Sequence, residues 1–159
     1  MNADIRSIPP VTLIGISAIG PSSFNELASG KDFGDQLWIS LINLMIKGGL
    51  SPHRRMYGVS WPADSLTPPD LINYFVGFEK PNEGYGDDFS PLELEGGNYF
   101  RFLYQGDPHK VDEGFRSAYI EALPKSGYKT RNGQHLEIYP EDIDMSSHKI
   151  SFEILIPIM

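Results

Sequence analysis

A chain of 159 residues, 40% hydrophobic and 21% charged, matches one ordinary globular domain and is long enough to bury a core without covalent staples. It contains no cysteine, which excludes disulfides, thiol nucleophiles and cysteine-ligated metals, and His53, His109, His135 and His148 stand at no metal-ligand spacing. The formal net charge of −8 repels nucleic-acid phosphates and favours cationic partners, or serves solubility alone.

The stretch MNADIRSIPPVTLIGISAIG lacks the basic start and cleavage site of a secretory signal. No apolar run approaches the roughly 20 residues that span a bilayer, so a cytoplasmic protein without membrane association is expected. Val11 to Ile19 alternates loosely and is rich in Val, Ile and Leu, which predicts a strand. A polar loop, Gly20 to Lys31, leads to a helix over about Asp35 to Lys47, whose Trp38, Leu41, Ile42 and Met45 share one face. Gly48-Gly49 stops it. Arg55 to Trp61 and Leu71 to Phe78 read as strands, and an acidic linker spans Glu79 to Pro91. Tyr99 to Tyr104 is strand-like. Asp107 caps a second helix with Pro108 at its first position, the stripe Val111, Phe115, Ala118, Tyr119 and Ala122 continues it, and Pro124 is expected to end it. Leu136 to Tyr139 and Ile150 to Ile158 are the last strands.

The two halves read as one unit written twice. An offset of 78 places Trp61-Pro62-Ala63-Asp64 on Tyr139-Pro140-Glu141-Asp142, and Ile72, Tyr74, Val76 and Phe78 on Ile150, Phe152, Ile154 and Ile156. The predicted fold class is therefore α+β. Two β-α-β-β modules, about 1–80 and 92–159, form a single domain with pseudo-two-fold symmetry over 1–159. The antiparallel sheet carries both helices on one face, and the seam between the halves leaves a ligand groove.

Several segments carry a family resemblance: Leu37-Trp38, Met56-Tyr57-Gly58-Val59, Phe75-Val76-Gly77-Phe78-Glu79, Gly97-Asn98-Tyr99-Phe100, Leu123-Pro124-Lys125-Ser126-Gly127-Tyr128, Leu136-Glu137-Ile138-Tyr139 and Phe152-Glu153-Ile154-Leu155-Ile156-Pro157-Ile158. In this order and spacing the chain resembles the GyrI-like, or effector-binding, domains. These occur fused to DNA-binding heads in AraC- and MerR-type regulators, and also alone. The resemblance implies the duplicated fold and a pocket for amphipathic, often cationic ligands of the multidrug type. It further implies that the Glu of the last motif, Glu153, faces those ligands, and that some members use it in hydrolysis. Many members have a Trp just before the Leu-Pro of the second helix; this chain has Ala122. The first strand begins within about ten residues of Met1, too few for a helix-turn-helix, so a stand-alone version without direct nucleic-acid contact is expected.

The residues themselves point the same way. Glu153 lies in Ile150-Ser151-Phe152-Glu153-Ile154-Leu155-Ile156, apolar on nearly both faces, where a carboxylate needs a partner unless it lies at the solvent edge. It is expected at the bottom of the groove between the helices, flanked by Tyr57 and Phe75, with Leu155 beside it. Glu137 and Tyr139 share a face of their strand and form a second acid and its phenol partner, or an ordinary edge pair. Trp38, Trp61 and Tyr99, like Tyr57 and Phe75, serve either as flat walls for a planar cation or as core. His53-Arg54-Arg55 is an anion contact or a solvated loop. No phosphate loop, catalytic triad or metal motif stands out, and no cofactor is expected. Three functions follow: a module that senses or sequesters amphipathic, planar or cationic compounds; a hydrolase of reactive electrophiles using Glu153; or a gyrase-inhibitor-like module whose protein partner is gyrase or a transcription regulator.

Overall fold

The computed structural model describes residues 3–22, 30–66, 69–82, 84–144 and 146–159. Its elements are β1 (Ala3–Ile8), β2 (Val11–Pro21), α1 (Gly30–Lys47), β3 (Met56–Pro62), β4 (Leu71–Glu79), β5 (Ser90–Leu94) and β6 (Gly97–Gly106), followed by a second helical segment, β7 (His135–Tyr139) and β8 (Ile150–Pro157). That segment, α2, opens with a 3-10 turn at Pro108–Lys110. It then runs as α-helix over Val111–Arg116, π-helix over Ser117–Ala122 and α-helix over Leu123–Ser126. Much of the predicted loop before α1 lies outside the described residues.

The strands form one antiparallel sheet in the order β1-β6-β8-β7-β3-β4-β2-β5. Read outward from the β7–β3 pair, each half repeats the other: β7 answers β3, β8 answers β4, β6 answers β2, and β1 answers β5. Residues directly opposed on neighbouring strands share a face. Val76 faces Gly58, Gly58 faces Glu137, and Glu137 faces Ile154, so all four point to the same side. On that side Val76 packs in one core cluster with Leu41 and Met45 of α1, and Ile154 packs in another with Ala118 and Ala122 of α2. Both helices therefore cover one face, as the duplicated pattern requires. Leu41 and Met45 are fully buried, each contributing about 1.5–3 kcal/mol.

The opposite face is covered by the sheet itself. β1 and β2 are joined only by Pro9-Pro10, and β5 and β6 only by Glu95-Gly96, although each pair lies at opposite ends of the strand order. Such short links force the sheet to curl until its ends meet. A Cβ on Gly96, whose φ is +79°, would stand 2.8 Å from Ile8 O, so the two links press together. Across the interior, the buried Gln134 receives Glu95 N at 2.9 Å and donates to Glu93 O at 3.0 Å, tying β7 to the far edge strand β5. Inside the roll sits a core of Leu13, Tyr57, Val59, Phe75, Tyr99 and Leu155, among others.

Three local features differ from the sequence reading. β1 and β5 are short edge strands absent from the predicted pattern. Pro124 does not end α2, which runs on to Ser126 and stops at Gly127 with φ +79°. The wider π turn just before it accommodates the ring, and there Leu123 N bonds Ala118 O, five residues back. The offset is also not constant. Ile154 follows its counterpart Val76 by 78, but Glu137 follows its counterpart Gly58 by 79. One residue of slip in β7 reverses the face of every side chain on it. At Gly48-Gly49, by contrast, α1 stops where predicted. Leu50 N bonds Met45 O at 2.8 Å, Gly49 N bonds Ile46 O at 3.1 Å, and Gly49 has φ +75°.

Candidate functional site

The central strand β7 presents His135, Glu137 and Tyr139 to the helix-covered face, because alternate residues of a strand share a side. Opposite Glu137 stands Gly58 of β3, where a Cβ would sit 2.9 Å from the Tyr74 hydroxyl and 3.0 Å from Glu137 Oε2. Only glycine leaves that space open. The Glu137 carboxylate accepts from Tyr74 Oη at 2.9 Å on one oxygen and from Tyr139 Oη at 2.6 Å on the other. Tyr74 in turn accepts from Trp38 Nε1 of α1 at 2.9 Å. The Trp38 ring stands edge-on to Tyr139 at 5.3 Å, and Tyr139 stacks on Phe152 at 4.6 Å. From α2, Tyr119 Oη meets His135 Nδ1 at 2.8 Å, and the two rings stack at 5.8 Å.

A half-buried carboxylate thus sits on the sheet floor between two helices, walled by aromatic rings. Burial raises the Glu137 pKa, while the hydrogen bonds from Tyr139 and Tyr74 pull it back down. Burial, then the Glu137 charge, drives the Tyr74 and Tyr139 phenols well above their ordinary value, so both remain donors. Tyr119 is raised by the same two causes. Burial and then Arg131 lower His135 to about 4, so its imidazole is neutral at neutral pH. The arrangement suits a desolvated flat cation: one negative charge, fixed donors around it, and ring faces beside it.

Of the sequence-derived candidates, Trp38, Glu137 and Tyr139 come together on this helix-covered face. The others lie on the opposite face. Tyr57, Phe75, Tyr99 and Leu155 are buried inside the roll, and Trp61 packs against the same cluster. Tyr57 is raised by burial and by Glu79, with Arg55 opposing. Glu153 pairs across the ladder with Ile138 and Leu103, facing away from the helices. Arg101 holds it, through Nε at 2.8 Å and Nη2 at 2.7 Å, and Arg101 also lies 3.6 Å from Asp4. Glu153 does border a cleft of about 540 Å³ at the mouth of the roll, with Arg55, Leu103, Ile138, Glu141 and Asp142. The expectation that Glu153 forms the floor between the helices, flanked by Tyr57 and Phe75, is thereby corrected: Glu137 occupies that place. Phe75 does remain the structural counterpart of Glu153, 78 residues apart, both on the roll face.

Sequence reasoning did not single out Tyr74, Tyr119, His135 or Gly58 as site residues. Tyr74 carried a usable signal: it stands among Ile72, Val76 and Phe78 on a helix-covered face, where a hydroxyl needs a partner. Among the described residues, no helix is long and apolar enough to cross a membrane.

A family model, the GyrI-like small molecule binding domain, matches residues 1–159. The transcriptional regulator Rob of Salmonella typhimurium is 30% identical over 110 residues, 65% of this chain and 38% of Rob. The chain therefore spans well under two thirds of that relative's length. Among solved structures, SAV2435 bound to tetraphenylphosphonium superposes with a TM-score of 0.75 at 18% identity, over 100% of this chain and 94% of the other. A hydrolase from Listeria innocua superposes with a TM-score of 0.53 at 11% identity, over 99% and 92%. At these identities the likenesses establish the fold.

Proposed function

The chain belongs to the GyrI-like small-molecule-binding family, and from that premise we propose that it senses or sequesters amphipathic, planar or lipophilic cations in the groove above Glu137. The observation that carries this reading is a half-buried carboxylate, held by two tyrosine hydroxyls and set among aromatic rings on the helix-covered face. A bound cation returns to Glu137 the charge that burial takes away, while the rings of Trp38 and Tyr139 supply apolar and cation–π contact. Tetraphenylphosphonium, the ligand of the fold neighbour SAV2435, is the probe of choice. Titration followed by tryptophan fluorescence in a Trp61→Phe background, which leaves Trp38 as the one indole, is expected to give saturable, one-site binding. Absence of saturation up to millimolar probe refutes the reading.

A hydrolase reading has one observation in its favour. The raised pKa of Glu137 moves it toward the range of a general base, beside the Tyr74 and Tyr139 hydroxyls. A fold neighbour from Listeria innocua is a hydrolase. Turnover of electrophilic esters or strained rings that disappears in Glu137→Gln, with binding retained, supports this second reading over simple capture.

A further inference from the structure

Trp38 stands on α1 just under one turn before Leu41, a fully buried residue that anchors this helix to the sheet. Its indole N–H donates to Tyr74 Oη at 2.9 Å, and Tyr74 Oη meets Glu137 Oε2 at 2.9 Å. Chemistry fixes the polarity of this chain. An indole nitrogen can only donate, so the Tyr74 oxygen accepts from it and the one hydroxyl proton is left for Glu137. Tyr74 has little freedom to turn away. It is only 6% exposed, its ring lies tilted against Phe33 of α1 at 6.3 Å, and a Cβ on Gly34 or on Gly58 would stand 3.6 Å or 2.9 Å from it.

The two oxygens of Glu137 are therefore unequal toward a proton. On Oε1 a proton can be accommodated by reversing the bond to Tyr139 Oη, which makes no other hydrogen bond among the described residues. On Oε2 it would meet the Tyr74 proton, which cannot swing round because the indole N–H fills the accepting side of that oxygen. The remaining titratable groups around the acid are His135 and Tyr139 of β7 itself, Tyr119 of α2, and Asp35 of α1, whose charge acts on Tyr74 and Tyr139. β3 and β8 face it with the uncharged Gly58 and Ile154.

Building on the assignment of cations to Glu137, we propose that Trp38 is a positioning residue: acting through Tyr74, its indole N–H holds Glu137 in the charged form before a cation arrives. The same chain carries the charge state of the sheet floor to α1. Trp38 is thus more than a flat wall for the ligand.

Trp38→Phe keeps an aromatic ring and removes the donor. The side-chain carboxyl carbon resonance of Glu137, identified by its loss in Glu137→Gln, reports ionisation with no ligand present. Its midpoint is expected to rise by roughly half to one pH unit in Trp38→Phe, the value of one hydrogen bond gained by the neutral acid. Water admitted by the smaller ring would lower the midpoint instead, and a merely space-filling Trp38 would leave it in place. Either result overturns the proposal. His135 lies at about 4 and titrates in the same range, so the rise should persist when both proteins carry His135→Gln. Should Trp38→Phe fail to fold, the wild-type indole N–H signal of Trp38 decides, told from that of Trp61 by Trp61→Phe. It is expected to move with the carboxyl midpoint, and constancy through that midpoint overturns the proposal. Affinity for 1-methylquinolinium, whose charge does not titrate, should begin to fall at a higher pH in Trp38→Phe than in the wild type, with no such change for 1-methylnaphthalene. Absence of quinolinium binding removes the cation reading of the groove, while the ligand-free carboxyl midpoint still decides the role of Trp38.

Discussion

Glu137→Gln separates charge from shape at the centre of the groove. The amide keeps one acceptor, which Tyr139 can use, but turns the other oxygen into a donor facing Tyr74. The Tyr74 hydroxyl already accepts from Trp38 Nε1, so its own proton loses a partner. One hydrogen bond to a charged group disappears, about 1.5–3 kcal/mol, while the desolvation of a buried carboxylate is relieved. These terms oppose one another in folding, so thermal stability should change by no more than about 1 kcal/mol. They do not cancel in binding a cation. There the lost charge should cost about 1.5–3 kcal/mol, roughly tenfold to 150-fold in Kd. Calorimetry with 1-methylquinolinium and its neutral isostere 1-methylnaphthalene isolates the effect. The variant should lose affinity for the first and keep it, within about twofold, for the second. Because the carboxylate is half-buried, raising the salt concentration should shrink the difference only in part. Undiminished quinolinium binding by Glu137→Gln would refute the assignment of this residue to the site.

Glu153→Gln should leave quinolinium affinity in the groove unchanged, since Glu153 faces the other side of the sheet. It should lower stability by about 1–3 kcal/mol in urea unfolding by removing the closer of the two carboxylates that pair with Arg101, whose side chain is only 18% exposed. Gly58→Ala fills the space at Tyr74 and Glu137, and is expected to cost about 1–3 kcal/mol of stability and to weaken tetraphenylphosphonium binding. The His135 imidazole lies below its ordinary value, at about 4, so its neutral form is favoured in the folded state. Its contribution is present above about pH 6.5 and is lost as pH falls toward 4. The urea stability of the wild type between pH 7 and 4.5 should therefore drop about 2 kcal/mol more than that of His135→Gln, and equal drops refute the burial argument.

The sequence by itself determined the duplicated pattern, the place of both helices and the composition of the last strands. These depend on local periodicity: the stripe of Trp38, Leu41, Ile42 and Met45 needs only helical geometry, and the Gly48-Gly49 stop needs only a positive φ. The family was legible for the same reason, since its motifs sit on these regular elements. Which acid lies in the groove was not legible. Glu137 and Glu153 both stand in apolar strands, and a constant offset of 78 aligns Glu137 with Val59, a residue of the roll interior. Only the ladder shows that β7 pairs with β3 one residue out of that alignment, turning Glu137 to the helices. Nor could the sequence show that the sheet curls and buries Tyr57, Phe75 and Tyr99. That follows from two short links, Pro9-Pro10 and Glu95-Gly96, joining strands at opposite ends of the sheet. Strand order and register are set by contacts between residues far apart in the chain. They decide which face a side chain occupies, and hence whether an acid forms an internal ion pair, as Glu153 does, or meets no cationic side chain among the described residues, as Glu137 does.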